Sequence, residues 1–287
     1  MSEFEHKAVL ESAFGAVAFG FSVEVIPVNV GGLVDLGALE RAVADDVAVI
    51  SVMAVNNEIG TIQPLRAVAK IAAKAGAFFH SDATQAPMAI DVDVFKWGVD
   101  AASFSSHKLY GPKGVGALYL SSAAPWRPRP LMFGGGQEKG LRPGTLPTAL
   151  CAGFGLAMSL IDHKERAKVA ALRDRLFLQL KAGLPDIEPT CAASPRHPGS
   201  LHVRFPRTDA KDLITRLQPR LSASTGSACT SGHMTVSHVL KAVGFSEAEA
   251  NEGVRLSLGR FTRKHEVDEA AALITEAVLR VRASLRV

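Results

Sequence analysis

Cysteine is scarce in this chain, and so is any run of one charge sign. Only Cys151, Cys191 and Cys229 occur among 287 residues. An odd count at wide spacing, without a Cys-x-x-Cys pair, supports neither a disulfide framework nor a zinc site; it fits a reducing cytoplasm in which a special cysteine is a reactive thiol. Basic residues exceed acidic ones by 32 − 28 = +4, with no dense basic tract, so nucleic acid is not the expected partner. No apolar run approaches the ~18 residues a transmembrane helix needs. The N-terminal stretch has acidic rather than basic first charges, Glu3 and Glu5, and does not read as a signal peptide. Internal repeats and low-complexity tracts are missing. Gly134–Gly136 matches neither a P-loop nor a dinucleotide fingerprint; it reads as an irregular loop.

What is present is an ordinary globular composition, 47% hydrophobic and 21% charged, which excludes wholesale disorder and fits one large or two modest domains. The first half alternates strand-like and helix-like segments. Strands are predicted at 23–28, 47–55, 77–80, 101–105 and 114–120. Helices are predicted at 36–46, with Asp35 as N-cap, and at 65–75, closed by Gly76. This β–α–β order predicts an α/β fold with an open, mostly parallel sheet and helices on both faces. A Gly- and Pro-rich stretch, 125–147, follows, then a helical pattern over 148–184. A second region reads strand 200–205, helix 209–218, loop 222–233, helix 236–243, strand 253–258 and helix 267–285. The division expected is a large domain, 1–157, and a smaller α+β C-terminal domain, 158–287.

Ligands of such sheets bind outside the carboxyl ends of the strands. That directs attention to Asn56–Asn57–Glu58, to Asp82–Ala83–Thr84–Gln85 and to Ser105–Ser106–His107–Lys108. A lysine in a sheet crevice is partly desolvated, which lowers its pKa and makes its amine a nucleophile able to form a Schiff base with an aldehyde cofactor or a carbonyl substrate. Adjacent hydroxyls and an imidazole can bind phosphate. A carboxylate at a neighbouring strand end, Asp82, could partner a protonated pyridine nitrogen, as pyridoxal phosphate requires. Taken singly, Lys108 reads as a solvated loop lysine and Asp82 as a turn or capping residue.

Together with other motifs they read differently. His80-Ser-Asp-Ala-Thr-Gln85, Ser105-Ser-His-Lys108 and Tyr110-Gly-Pro-Lys-Gly-Val-Gly116 resemble the class V aminotransferase superfamily, and within it the cysteine desulfurases of the NifS/IscS type. So do Glu5-His-Lys-Ala-Val-Leu10, Val55-Asn-Asn-Glu-Ile-Gly60, Gly134-Gly-Gly-Gln-Glu138, Arg142-Pro-Gly-Thr145, Gly226-Ser-Ala-Cys-Thr-Ser231 and Arg255-Leu-Ser-Leu-Gly-Arg260, in the family's order. The resemblance implies the pyridoxal-phosphate-dependent transferase fold type I. It implies Lys108 as the Schiff-base lysine, Asp82 on the pyridinium nitrogen, Gln85 on the phenolic oxygen and His6 stacked on the ring. Ser105 and His107 would bind the phosphate, and Thr145 the phosphate in the partner subunit of a homodimer. Asn57 and Arg255 would hold the carboxylate of L-cysteine.

By the same resemblance, Cys229 is the residue that receives the sulfur, in a run of small residues, 222–232, suited to a mobile loop. His233 and His238 are available as bases for it, but read more simply as loop or helix-surface histidines. Cys151 reads as a core filler on an apolar helix; His163, His197, His202 and His265 read as solvated. The implied partner is a sulfur acceptor serving iron–sulfur assembly, tRNA thiolation or DNA sulfur modification. The chain departs from the family at its beginning: the Glu-His-Lys motif starts at residue 5, where the family first has a substantial segment with a Gly-Ala-Thr phosphate loop. An upstream start, a second polypeptide and a degenerate relative are all open explanations. Pro143 stands where the family has Ser. A selenocysteine lyase or other class V enzyme, and a silent subunit, are the alternative readings.

Overall fold

The computed structural model describes residues 1–226 and 236–284; Cys229 and His233 lie outside the described residues. The chain opens with α1 (Lys7–Gly15), capped by His6, whose Nδ1 accepts from Ala8 N at 3.1 Å. A four-stranded sheet follows in the order β1 (Val49–Ser51), β2 (Phe78–Asp82), β3 (Ala101–Ser105), β4 (Gly116–Leu120). β1, β2 and β3 are parallel and β4 runs antiparallel to β3. The mostly parallel sheet predicted from the β–α–β alternation is therefore present.

Alternation along the strands gives the sheet two unlike faces. Ile50, Phe79 and Ala102 point into the main apolar cluster. There they meet α2 (Leu36–Ala42), α3 (Leu65–Ala75), α4 (Ala86–Ala89) and α5 (Val94–Trp97) through Leu39, Leu65, Val68, Ala72, Ala86 and Trp97. Helix α3 buries one stripe, Leu65, Val68 and Ala72, and ends on Gly76 at φ 68°, as its spacing and its glycine predicted. Asp35 caps α2 through Ala38 N at 2.9 Å. The opposite face of the sheet carries Ser51, His80, Asp82, Ser103 and Ser105, and it borders a cavity walled in part by α1 and by the start of α7 (His163–Gly183).

The second sheet is antiparallel, ordered β5 (Glu188–Pro189), β6 (Ser200–Arg204), β7 (Gly253–Ser257). Its core joins Leu176 and Leu180 of α7, Leu213 of α8 (Ala210–Leu217) and Ile274 and Val278 of α11 (Lys264–Ser284) to Val203 and Leu256. A third cluster packs Phe4, Met53 and Ile59 against Val239 and Leu240 of α9 (His238–Ala242) and Ala250 of α10 (Glu247–Asn251).

Four expectations need correction. The strand at 23–28 is reduced to isolated pairings, Ser2 with Ile26 and Val28 with Val34, because Pro27 has no N–H to give a ladder. The helix at 148–184 is two, α6 (Thr148–Ser159) and α7, separated where Asp162 accepts from Lys164 N at 2.8 Å and starts a new helix. Cys151 is exposed rather than a core filler: the buried side of α6 lies between Phe154 and Ala157, which turns Cys151 roughly a quarter turn away. His202 is buried in the middle of the central strand β6, not solvated, with Nδ1 on Thr190 Oγ1 at 2.7 Å. Burial pushes its pKa down to about 3, and that of the half-buried His197 to about 4. His163 and His265 are exposed, as expected.

Candidate active site

Two parallel neighbours deliver the central pair. Asp82 is the last residue of β2, in register with Ser103 of β3. It is buried, and its Oδ1 accepts from Thr84 N at 2.9 Å, so the carboxylate is held by the turn that leads into Gln85 and α4. β3 ends at Ser105 and passes into one 3₁₀ turn, Ser106–Leu109. That turn buries Ser106 and Leu109, three apart, and so directs His107 and Lys108 outward. Lys108 is consequently exposed, which corrects the desolvated lysine expected from the sequence: the strand end delivers it to an open cleft. Ser105 Oγ and His107 Nδ1 are 2.8 Å apart; burial, then the charges of Lys108 and Lys113, hold the His107 pKa below the usual histidine value.

One cavity of about 1400 Å³ is lined by His6, Asn57, Asp82, Gln85, Ser105, His107, Lys108 and Arg255 together. These residues come from five separate segments, and all were named from the sequence. Arg255 of β7 reaches back to the first sheet, donating to the Asn57 carbonyl at 2.8 Å. Thr145 is not brought to this cavity; it is exposed in the irregular stretch before α6. His238 opens α9 and bonds through Nε2 to the Glu5 carbonyl at 3.0 Å. Cys191 is half-buried, its Sγ donates to Val30 O at 3.4 Å, and burial pushes its thiol up to about 11, so it is a poor nucleophile.

Sequence reasoning passed over two polar groups behind the cavity. His80 lies on the same face as Asp82, two residues earlier, and bridges Ser51 Oγ on β1 (2.9 Å) and Ser103 Oγ on β3 (2.8 Å). Desolvation holds its pKa down, so it ties three strands together as a neutral ring. Glu5 is fully buried; Ser2 Oγ and Met53 N donate to its Oε1, and Oε2 has no partner. Burial first, opposed by those bonds, raises its pKa to about 7. The period of β2 could have found His80. Glu5 has one local partner, Ser2, but its burial and its bond from Met53 N are set by a distant segment, which no local pattern marks.

The donor set itself tests a cofactor. An amine, a carboxylate, an amide, an imidazole and a hydroxyl–imidazole pair facing one cavity match the aldehyde, ring nitrogen, phenolic oxygen, ring face and phosphate of pyridoxal phosphate, so the residues fit that group. Residues 1–270 match the model of the family described as aminotransferase class-V. The chain belongs to that family of pyridoxal-phosphate-dependent enzymes, and its fold is type I. Among relatives, the cysteine desulfurase IscS of Rickettsia typhi is 39% identical over 281 residues, covering 97% of this chain and 68% of the relative. The mitochondrial cysteine desulfurase of Eremothecium gossypii is 43% identical, covering 96% and 56%. A solved NifS-like protein aligns with TM-score 0.85 at 35% identity, over 97% of this chain and 74% of that one. A structure described as SspA in complex with cysteine aligns with TM-score 0.78 at 34% identity, over 90% and 72%. Within the family the chain thus groups with the cysteine desulfurases, while spanning about two thirds of the Rickettsia typhi relative and little more than half of the mitochondrial one.

Proposed function

We propose that this chain carries the catalytic centre of a cysteine desulfurase that converts L-cysteine to L-alanine and places the sulfur on Cys229 as a persulfide. The observation that carries this reading is the shared lining of one cavity by Asp82, Lys108 and Arg255, from two sheets. Pyridoxal phosphate, when bound, supplies an aldehyde and an electron sink that acidifies the substrate Cα–H. Lys108 would hold that aldehyde, and its free amine would take the Cα proton as general base. Asp82 would hold the proton on the ring nitrogen, Gln85 would donate to the phenolic oxygen, His6 would cover the ring, and Ser105 with His107 would bind the phosphate. Arg255 and Asn57 orient the substrate carboxylate, a pairing suited to a guanidinium fork. The Cys229 thiolate attacks the substrate sulfur. A sulfur–sulfur bond would form as the Cβ–S bond breaks, its electron pair passing to Cβ; a proton delivered to Cβ and the return of the Cα proton from Lys108 would complete alanine.

The same reading extends to the assembly. A homodimer is supported by the exposed apolar side chains Leu131, Met132 and Phe133, 12 to 14 residues before Thr145; Thr145 would then serve the partner subunit's phosphate. A division near residue 157 is supported by the separate cores of the two sheets. The persulfide would pass to a sulfur-acceptor protein in the cytoplasm; among the described residues no helix is long and apolar enough to cross a membrane.

The test is to supply cysteine and pyridoxal phosphate and to quantify alanine and protein persulfide together. Equal yields in the first turnover, abolished by Cys229→Ser with cofactor absorbance retained, support the reading. Alanine formed undiminished by Cys229→Ser points to another class V lyase, selenocysteine included.

A further inference from the structure

Asn56–Asn57–Glu58 follows β1 and its turn, yet only Asn57 has a place in the site above. Glu58 is 5% exposed. Its backbone N–H and that of Ile59 are held by Asn56 Oδ1 at 2.8 and 3.0 Å, and Asn56 in turn donates to Phe4 O at 3.1 Å. The carboxylate is therefore fixed from behind by a buried turn. Two residues far along the chain converge on its Oε2. Ser237 Oγ donates to it at 2.6 Å while also accepting from Leu240 N at 3.2 Å, as the cap of α9. Gly226 lies so close that a Cβ there would stand 2.9 Å from the same oxygen, and its φ of +89° already favours glycine.

Gly226 and Ser237 bound the segment 227–235, which carries Cys229. The near foot is tied further: Gly226 N donates to Ser224 Oγ, and Ser224 pairs backbone to backbone with Arg255, whose N donates to Ser224 O at 2.6 Å while Ser224 N donates to Arg255 O at 3.3 Å. The far foot is tied by His238 Nε2 on Glu5 O. The same buried oxygen thus holds the far end of the cysteine-bearing segment by the Ser237 hydrogen bond and packs closely against its near end at Gly226, on the strand-end turn that positions Asn57 and, through it, Arg255.

We propose that Glu58 is a positioning residue that clasps the two feet of the Cys229 segment to the substrate-carboxylate side of the cavity. The proposal rests on the desulfurase reading for its consequence, but the clasp itself is measurable without cofactor. Removing a carboxylate acceptor from a buried hydroxyl costs enough to raise local opening about tenfold or more. Glu58→Ala should therefore speed hydrogen exchange at the amides of 224–226 and 237–240 together by about that factor. It should also change the rate of Cys229 alkylation by iodoacetamide several-fold, with exposed Cys151 in the same sample unchanged. In the cofactor-loaded enzyme, persulfide formation should slow about tenfold while cofactor absorbance and the half-saturating cysteine concentration hold. Glu58→Gln, which keeps an acceptor for Ser237, should restore most of the rate, and Ser237→Ala should loosen the far foot alone. If Glu58→Ala does not fold, those two variants carry the test. Unchanged exchange at both feet, or a rate loss that tracks loss of cofactor absorbance, overturns the clasp. Alanine production surviving Cys229→Ser would instead overturn the desulfurase reading and leave the exchange result standing.

Discussion

The strand-end residues of the first sheet and Thr145 in the segment 125–147 were both singled out in the sequence, and the structure treats their surroundings oppositely. Asp82 and Ser105 are fixed by ladders that the chain makes with itself: β2 pairs with β1 and β3, and the neutral His80 bridges three strands beneath the cavity. The segment before α6 has little regular structure beyond one short 3₁₀ turn, and Leu131 and Phe133 stand 97% and 89% exposed. A parallel sheet determines side-chain positions from within one subunit, whereas a loop rich in glycine and proline carrying exposed apolar side chains waits for a surface outside the subunit. The first half of the site is thus a property of the fold, and the second a property of the proposed assembly.

The largest effect expected from that contrast is at Lys108. Lys108→Ala should lower turnover by about 10³-fold or more, and abolish the visible absorbance of the loaded protein, while the far-ultraviolet circular dichroism stays that of the parent, since the side chain is exposed. Asp82→Asn keeps the shape but not the charge; turnover should fall about a hundredfold, with pyridoxal phosphate still bound and its absorption band shifted. A variant with parental turnover would break the claim that the strand ends form the cofactor's seat. On the other side of the contrast, Phe133→Asp should convert a dimer to a monomer in sedimentation velocity while changing subunit stability by less than about 0.5 kcal/mol. Dimers of undiminished affinity would place the interface elsewhere.

The smallest effect comes from Glu5. Its pKa is raised by burial from 4.5 to about 7, so between those values the folded chain keeps a proton that the unfolded chain has lost. Stability then falls as pH rises through that window, and the penalty is complete above about 7. Glu5→Gln removes it. The variant's Tm should exceed the parent's at pH 8 by a few degrees, of order 1–3 kcal/mol, and the gap should close toward pH 4. The titrations of His197 and His202 are common to both proteins and cancel in the difference. A gap that does not vary with pH would contradict a buried, protonatable Glu5.

Much of the fold was legible because its signals are local and periodic. Helix 65–75 and strand 101–105 have the limits that spacing predicted, and Asp82, Gln85, Ser105, His107 and Lys108 lie where parallel strands end, whereas His6 and Arg255 were placed only by the family resemblance. What escaped was set by contacts between distant segments. Burial of His202 follows from its place in the central strand of a sheet whose neighbours lie 12 and more residues away in the chain, so no local pattern announces it. Exposure of Lys108 depends on the three-residue period of one short turn, and exposure of Cys151 on which side of α6 is covered. Glu58 was in view as a strand-end residue, but its partner Ser237 stands 179 positions further on, and no pattern in either segment points to the other.

The account rests on Lys108 and Asp82 flanking one pyridoxal phosphate. The most direct test is to load the chain with that cofactor, reduce it with borohydride, digest it and map the pyridoxyl mass. The account predicts the label on Lys108 in stoichiometric yield, lost in Lys108→Ala and weakened in Asp82→Asn. A label on Lys113 or another lysine, or one spread among several, would contradict it.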